Sequence, residues 1–162
     1  SLTYNIDSDF AVDWGGNLWQ LPATLDVNSD RTQCDGENSY GWNITSSEMG
    51  HLYYVALGNR GFYDKSGSLQ SQQICGLKNT GDFLNLKPVQ YWSADKPIKN
   101  WSGEPARYVF AFGVTEEDQK EWVGGQLHVF EKVAYRYGIA VCKAHVTQLQ
   151  ELPGVPSNVH IE

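Results

Sequence analysis

Apolar residues recur along the chain with two periods. From Met49 they fall at Met49, Leu52, Tyr53, Ala56 and Leu57, the i, i+3, i+4, i+7, i+8 stripe of one helical face. Thr45-Ser46-Ser47-Glu48 precedes the stripe and reads as a capping box. There the Thr hydroxyl accepts the Glu48 amide and the Glu carboxylate reaches back to the start of the helix. Gly58-Asn59 follows as a C-terminal stop. The pattern predicts a helix over 46–57.

Elsewhere the period is two. Arg107–Phe112 alternates, with Tyr108, Phe110 and Phe112 on one face, and Gln126–Phe130 alternates again. Val89–Ser93 is short and rich in strand formers, and Tyr137–Cys142 is a fourth strand candidate. Pro, Gly and Asn separate these runs, which predicts antiparallel hairpins. Arg60–Gly81 is rich in Gly, Ser, Gln and Asn and reads as a long loop with short extended pieces. Thr115–Lys120 fits either a helical turn or an acidic loop. The stretch from Val146, with Pro153 and Pro156, lacks periodicity and reads as an extended arm. The expected organisation is one domain over 1–145 and a tail over 146–162.

Composition narrows the class. A chain of 162 residues suits one domain, and 41% apolar against 19% charged residues excludes wholesale disorder. Aromatics reach 13%, with six Trp, sixteen Gly and a single Met, a mixture of many rings and many turns. Nineteen acidic against twelve basic side chains give a net charge of −7. Nucleic-acid backbones and anionic lipid leaflets both attract basic surfaces, so neither is an expected partner. No apolar run approaches the ~20 residues of a membrane span.

Three Cys occur, at 34, 75 and 142, without metal-ligand or haem spacing. Cys142 lies in an apolar run and reads as a small buried hydrophobe. Cys34 and Cys75 lie in polar, turn-rich stretches and are the better pair for one disulfide. The chain begins at Ser1 without Met, as either a removed signal peptide or a trimmed start would give. Few Lys and Arg with abundant Trp, Tyr, Asn and Gly fit an extracytoplasmic location: periplasm, cell surface or secreted.

Several segments in order resemble the DUF1566 family, also called the Legionella collagen-like C-terminal domain family. They are Leu18-Trp19-Gln20-Leu21-Pro22, Ser47–Tyr54, Gly76–Phe83 and Tyr91-Trp92-Ser93, followed by Tyr108–Phe112 and the closing Gly138-Ile139-Ala140-Val141. The resemblance spans about residues 14–144 of the chain. Two positions depart from it: Gln20 stands where the family usually has Arg, and Cys142-Lys143 replaces Arg-Pro. The resemblance implies an α+β, C-type-lectin-like fold, with one or two helices on small antiparallel sheets and long loops. It implies no enzymatic activity; members are mostly surface or secreted modules, and some are adhesins.

Candidate chemistry is sparse. Sugar-binding lectins of that fold hold calcium through Glu-Pro-Asn and Trp-Asn-Asp, whereas this chain has Glu104-Pro105-Ala106 and lacks the second motif. Calcium is therefore admitted without a convincing ligand set, and no other cofactor is expected. Asp7, Asp9 and Asp13 begin like an EF-hand loop, but the required Gly and distal Glu do not follow. Glu48 and His51 share the i, i+3 spacing of bundle metal sites, yet one helix cannot complete such a site. His51 is expected to be packed or hydrogen-bonded. No Gly-x-Ser-x-Gly elbow or phosphate-binding loop occurs, and Gly124-Gly125 precedes a strand without the Lys-Ser/Thr that would bind phosphate.

Aromatic rings are the remaining signal. Trp19, Trp42 and Trp92 are expected in the core. Trp101 and Trp122, with Tyr40 and Tyr63, are the interface candidates, because rings on loops anchor protein partners or stack on sugars. The expected function is a non-catalytic binding or assembly module, a protein-interaction subunit of a bacterial envelope or surface complex. A carbohydrate-binding adhesin module is the alternative, and an enzyme with an unrecognised site stands behind both.

Overall fold

In the computed structural model, residues 10–13, 15–16, 18–24, 40–99, 102–114, 117–130, 136–142 and 144–148 are described. The strands are β1 (Phe10–Asp13), β2 (Gln90–Trp92), β3 (Ile98–Lys99), β4 (Pro105–Ala111), β5 (Gln126–Phe130) and β6 (His145–Gln148). A single α-helical turn, α1 (Glu48–Gly50), runs into a π-helical segment, His51–Ala56, and a 3-10 helix covers Glu117–Trp122. The protein is thus a small α+β protein with one short helix and antiparallel sheets. Among the described residues no helix is long and apolar enough to cross a membrane.

The chain divides into two units. Gln20–Val141 form one; Ser1–Trp19 and Cys142–Glu162 form the other. In the second, β1 pairs antiparallel with β6, Phe10 opposite Gln148 and Asp13 opposite His145. The boundary expected between 145 and 146 therefore falls inside β6, and residues 149–162 lie outside the described set.

In the Gln20–Val141 unit, β4 is the centre of a four-stranded sheet. β5 pairs along one edge, with Val109 opposite Leu127. On the other edge β2 pairs with its C-terminal half and β3 with its N-terminal end. The alternation read from Arg107–Phe112 holds. Phe110 and Phe112 pack with Tyr91, Met49, Tyr53 and Leu57 on the helix side, while Val109 and Ala111 pack with Leu127 on the other. Burying both faces makes β4 nearly continuous in apolar side chains, as an internal strand requires. The fourth predicted strand does not form: Tyr137 and Val141 each make one isolated bridge, to Tyr91 and Gln20, and nothing longer.

The helix departs from its prediction in three ways. Its N-cap is Ser47, whose Oγ accepts the Gly50 N–H at 3.0 Å. Glu48 does not reach back to Thr45; its carboxylate accepts the Ala23 N–H at 2.8 Å instead. A tertiary partner has thus displaced the local capping box. Gly50 makes this possible, since a Cβ there would lie 1.9 Å from the Ile44 carbonyl oxygen. Beyond it the bonding widens to i→i+5, with Leu57 N–H donating to the Leu52 carbonyl at 3.0 Å. Such a turn brings residue i+5 beneath residue i. Tyr54, five on from Met49, therefore joins the packed face, and Ala56 turns to solvent.

The two tyrosines of this turn tie it down. Tyr53 is fully buried and donates to the Arg60 carbonyl at 2.8 Å; Tyr54 donates to the Gly124 carbonyl at 2.7 Å. Asn59, at the predicted helix stop, holds the loop that follows. Its Oδ1 accepts the Lys78 and Asn79 N–H groups, each at 2.9 Å, and its Nδ2 donates to the Asn79 carbonyl at 2.8 Å.

Burial pushes the Tyr53 and Tyr54 phenols well above their ordinary range, and the ionisable Tyr54 and Cys75 side chains beside Tyr53 add to the effect there. Tyr91 is raised as well, chiefly by burial. These phenols stay protonated in the folded chain at pH values where an unfolded chain releases its protons, above about pH 10. The unfolded state then binds fewer protons, so stability is level below about pH 10 and falls as pH rises beyond it. Urea unfolding across the alkaline range should show this fall, with phenolate absorbance appearing together with unfolding. Tyr53→Phe should make the fall shallower. Early phenolate absorbance from a fully folded chain would contradict this account.

Candidate functional site

The N-terminal end of β5 gathers the polar and aromatic groups that the sequence leaves far apart. Gly41 and Gln126 exchange backbone hydrogen bonds at 2.9 and 2.8 Å, extending the sheet beyond β5 and fixing Tyr40 and Trp42 on either side of the bridge. Gly124, at φ +77°, lets the chain pass where a Cβ would meet Gly61 Cα and the Tyr54 hydroxyl, each at 2.6 Å. The 3-10 helix before it delivers Trp122 to the face of Val109, Ala111 and Leu127.

The result is a ring cluster. Trp42 and Trp122 stack, with centroids 4.8 Å apart and planes 14° from parallel. Tyr40 meets Trp122 edge-on at 5.3 Å and lies 5.5 Å from the His128 ring. Tyr63 meets Trp42 edge-on at 4.6 Å, and Phe62 meets Tyr63 at 5.2 Å. Edge and offset geometries such as these add about 0.5–1.5 kcal/mol per pair beyond area burial. All six rings are half-buried. Burial raises the Tyr40 phenol above its ordinary range.

Three of the four predicted interface residues, Tyr40, Tyr63 and Trp122, therefore meet at one place. Trp101 lies outside the described residues. Trp42, expected in the core, is half-buried and organises the cluster: it lies between Trp122 and Tyr63, and its indole Nε1 is buried without an acceptor among the described residues. The Trp-rich composition was the available signal, but nothing local to Trp42 marks it. Trp92 packs against the Val109 face as expected. Trp19 is corrected: it is 45% exposed, not core.

Of the expected Cys34–Cys75 pair, Cys75 is buried with a free thiol. Cys75 N–H is bonded to the Ser71 carbonyl at 3.1 Å, and Gly76 pairs with Arg60, which turns the residue inward. Cys34 itself lies outside the described residues, and Cys142 is half-buried rather than core.

Beside the ring cluster runs a buried polar chain. Gln126 Nε2 donates to the Thr24 carbonyl at 2.7 Å, and the Ser47 hydroxyl donates to Gln126 Oε1. Thr24 gives both its N–H (2.9 Å) and its hydroxyl (2.5 Å) to Asp95 Oδ2. Asp95 and Glu48 are thus engaged with donors of the chain itself. His51 is exposed, not packed. Glu104, just before β4, is exposed and accepts a long bond from Ser102, at 3.4 Å. Among the described residues no three His, Cys, Asp or Glu side chains gather as metal ligands. The rings present rigid apolar area with polar tips.

No protein-family model, curated protein or solved structure matches this chain.

Trp122→Ala removes the stack and the cover over Val109, Ala111 and Leu127, so urea unfolding should show a loss of about 2–4 kcal/mol. Trp42→Phe removes an unpaired buried donor along with part of its ring, and should cost less than about 1.5 kcal/mol. A larger loss from Trp42→Phe than from Trp122→Ala would mean that the Trp42 indole N–H is satisfied in solution.

Proposed function

We propose that this chain is a non-catalytic binding module that docks a protein partner on the ring cluster around Trp42 and Trp122. In this reading it works outside the cytoplasm as a subunit of a bacterial envelope or surface assembly. The observation that carries it is the convergence of Tyr40, Tyr63 and Trp122 on one half-buried patch beside β5. Large rigid rings lose little conformational entropy on docking, and Trp and Tyr dominate the energetics of protein interfaces. The C-type-lectin-like architecture and the DUF1566 resemblance belong to the same reading. Their support is the order of the motifs and the small antiparallel sheets joined by long loops. Extracytoplasmic placement rests on the low Lys and Arg content and the abundance of Trp, Tyr, Asn and Gly.

Carbohydrate recognition is the second reading, since tryptophan faces also stack on sugars. The stack itself favours protein: the two indoles spend one face each on one another at 4.8 Å, whereas a sugar needs an open ring face.

Purification of the chain from its native source, followed by mass spectrometry, tests the proposal. A companion protein should co-purify in fixed ratio and be lost from a Tyr40→Ala variant whose circular dichroism is unchanged. A glycan array should stay blank with and without EDTA. A chain that purifies alone and binds glycans would replace the protein reading with the carbohydrate one.

A further inference from the structure

The loop from Asn79 to Lys87 is pinned at both feet. Asn79 N–H donates to Asn59 Oδ1 and its Nδ2 to the Leu57 carbonyl, each at 2.9 Å. At the other foot Lys87 N–H donates to the Tyr91 hydroxyl at 2.8 Å. Between them Gly81 N–H donates to Asn79 Oδ1 at 2.9 Å and Phe83 N–H to the Thr80 carbonyl at 3.1 Å. Turns of this kind favour Gly, Asn, Asp or Ser at their tips. This tip carries Phe83 and Leu84, both exposed, Leu84 to 95%. Leu86, two residues on, packs against the core instead. The tip is therefore an apolar knob that its own loop holds in place.

A socket lies beside the knob. A cleft of 370 Å³ has Phe62, Leu77, Pro88 and Val123 among its walls. Phe62 N–H donates to the Val123 carbonyl at 2.8 Å and Gly76 N–H to the Arg60 carbonyl at 2.9 Å, which sets those walls. A cavity of about 150 Å³ already holds a benzene ring, so the cleft has room for the Phe83 ring and the Leu84 side chain. The knob loop leaves the cleft at Lys78 and rejoins it at Pro88. Leu84 precedes Pro88 by four positions, so the knob stands within about 14 Å of the cleft lining. Charge repeats the match: Asp82 adjoins the knob, Lys78 lines the cleft, and both are exposed.

We propose that this chain forms a two-fold dimer in which the Phe83–Leu84 knob of each copy enters the cleft of the other, with Asp82 facing Lys78 of the second copy. A knob and a socket side by side on one chain are self-complementary across a two-fold axis, where every contact is made twice and the assembly closes. Docking removes the knob from water, and a loop already pinned loses little freedom in doing so. The net charge of −7 on each copy opposes association, so the dimer depends on both the knob and the opposite charges at the contact. The surface is distinct from the ring cluster, and its test reads the purified chain alone, whether or not that cluster binds a partner.

Sedimentation equilibrium of the purified chain tests the proposal. It should show monomer and dimer, with a dissociation constant below about 1 mM, and Leu84→Ser should raise that constant at least about tenfold. Asp82→Lys and Lys78→Asp should each give a monomer, because each sets like charges against one another at both contacts. An equimolar mixture of these two variants restores both pairs with their signs reversed, and should dimerise. All three positions are exposed, so each variant should keep the wild-type urea midpoint. A wild-type chain that stays monomeric, assembly beyond the dimer, undiminished association in any single variant, or a mixture that stays monomeric would each overturn it.

Discussion

The strand Pro105–Ala111 is paired along both edges and covered on both faces, and the rest of the Gln20–Val141 unit is arranged around that fact. Ala106 and the run Tyr108–Phe112 are fully buried. Removing a large apolar side chain from water contributes about 1.5–3 kcal/mol, whereas a net backbone hydrogen bond contributes about 0.5–1.5 kcal/mol. The side chains of Tyr108, Val109, Phe110 and Phe112 therefore decide where the strand lies, and the ladder follows. The helix side demands a cover, which the π-helical turn supplies through Met49, Tyr53 and Leu57. The opposite side demands another, which Trp122 and its ring partners supply. The candidate docking patch is thus the outer layer of the same core.

Polar contacts fix the register of this packing. Gln126 lies opposite Phe110 and is fully buried, so its amide needs partners on the helix side of the sheet. It finds them in Ser47, which caps α1, and in Thr24, which in turn satisfies Asp95. Each of these groups left unpaired would cost about 1–3 kcal/mol. One chain of bonds therefore ties residues 24, 47, 95 and 126 into one arrangement, where apolar packing alone would tolerate slippage.

Periodicity made the central strands legible. β5 lies where alternation places it, β2 lies within its predicted run, and β4 overlaps its own apart from the ends. The helix was legible as an element but not in its start, because Glu48 answers to Ala23 and Ser47 to Gln126, partners 25 and 79 residues away. Its later turns were not legible either, since nothing in a 3.6-residue stripe announces a widening to i→i+5. Tyr137–Cys142 has strand composition but makes only isolated bridges, Tyr137 to Tyr91 of β2 and Val141 to Gln20 outside the sheet, so tertiary pairing overrode propensity. β1 and β6 are four residues each and lack a strong alternating signal. Tyr40, Tyr63 and Trp122 were recoverable as rings in loop-rich sequence. Trp42 was not, because its position depends on the Gly41–Gln126 bridge, a contact across 85 residues. Trp19, at 45% exposure, shows the converse: a large ring does not by itself place a residue inside.

Hydrogen exchange on the native chain measures the two-sided burial of β4 most directly. The Val109, Phe110 and Ala111 amides should exchange only through global unfolding, the slowest class in the molecule, with the β1 and β6 amides exchanging faster through local opening. Equal or faster exchange in β4 than in β1 and β6 would contradict the account, because the rings and the helical turn would then be decorating a sheet that opens without them.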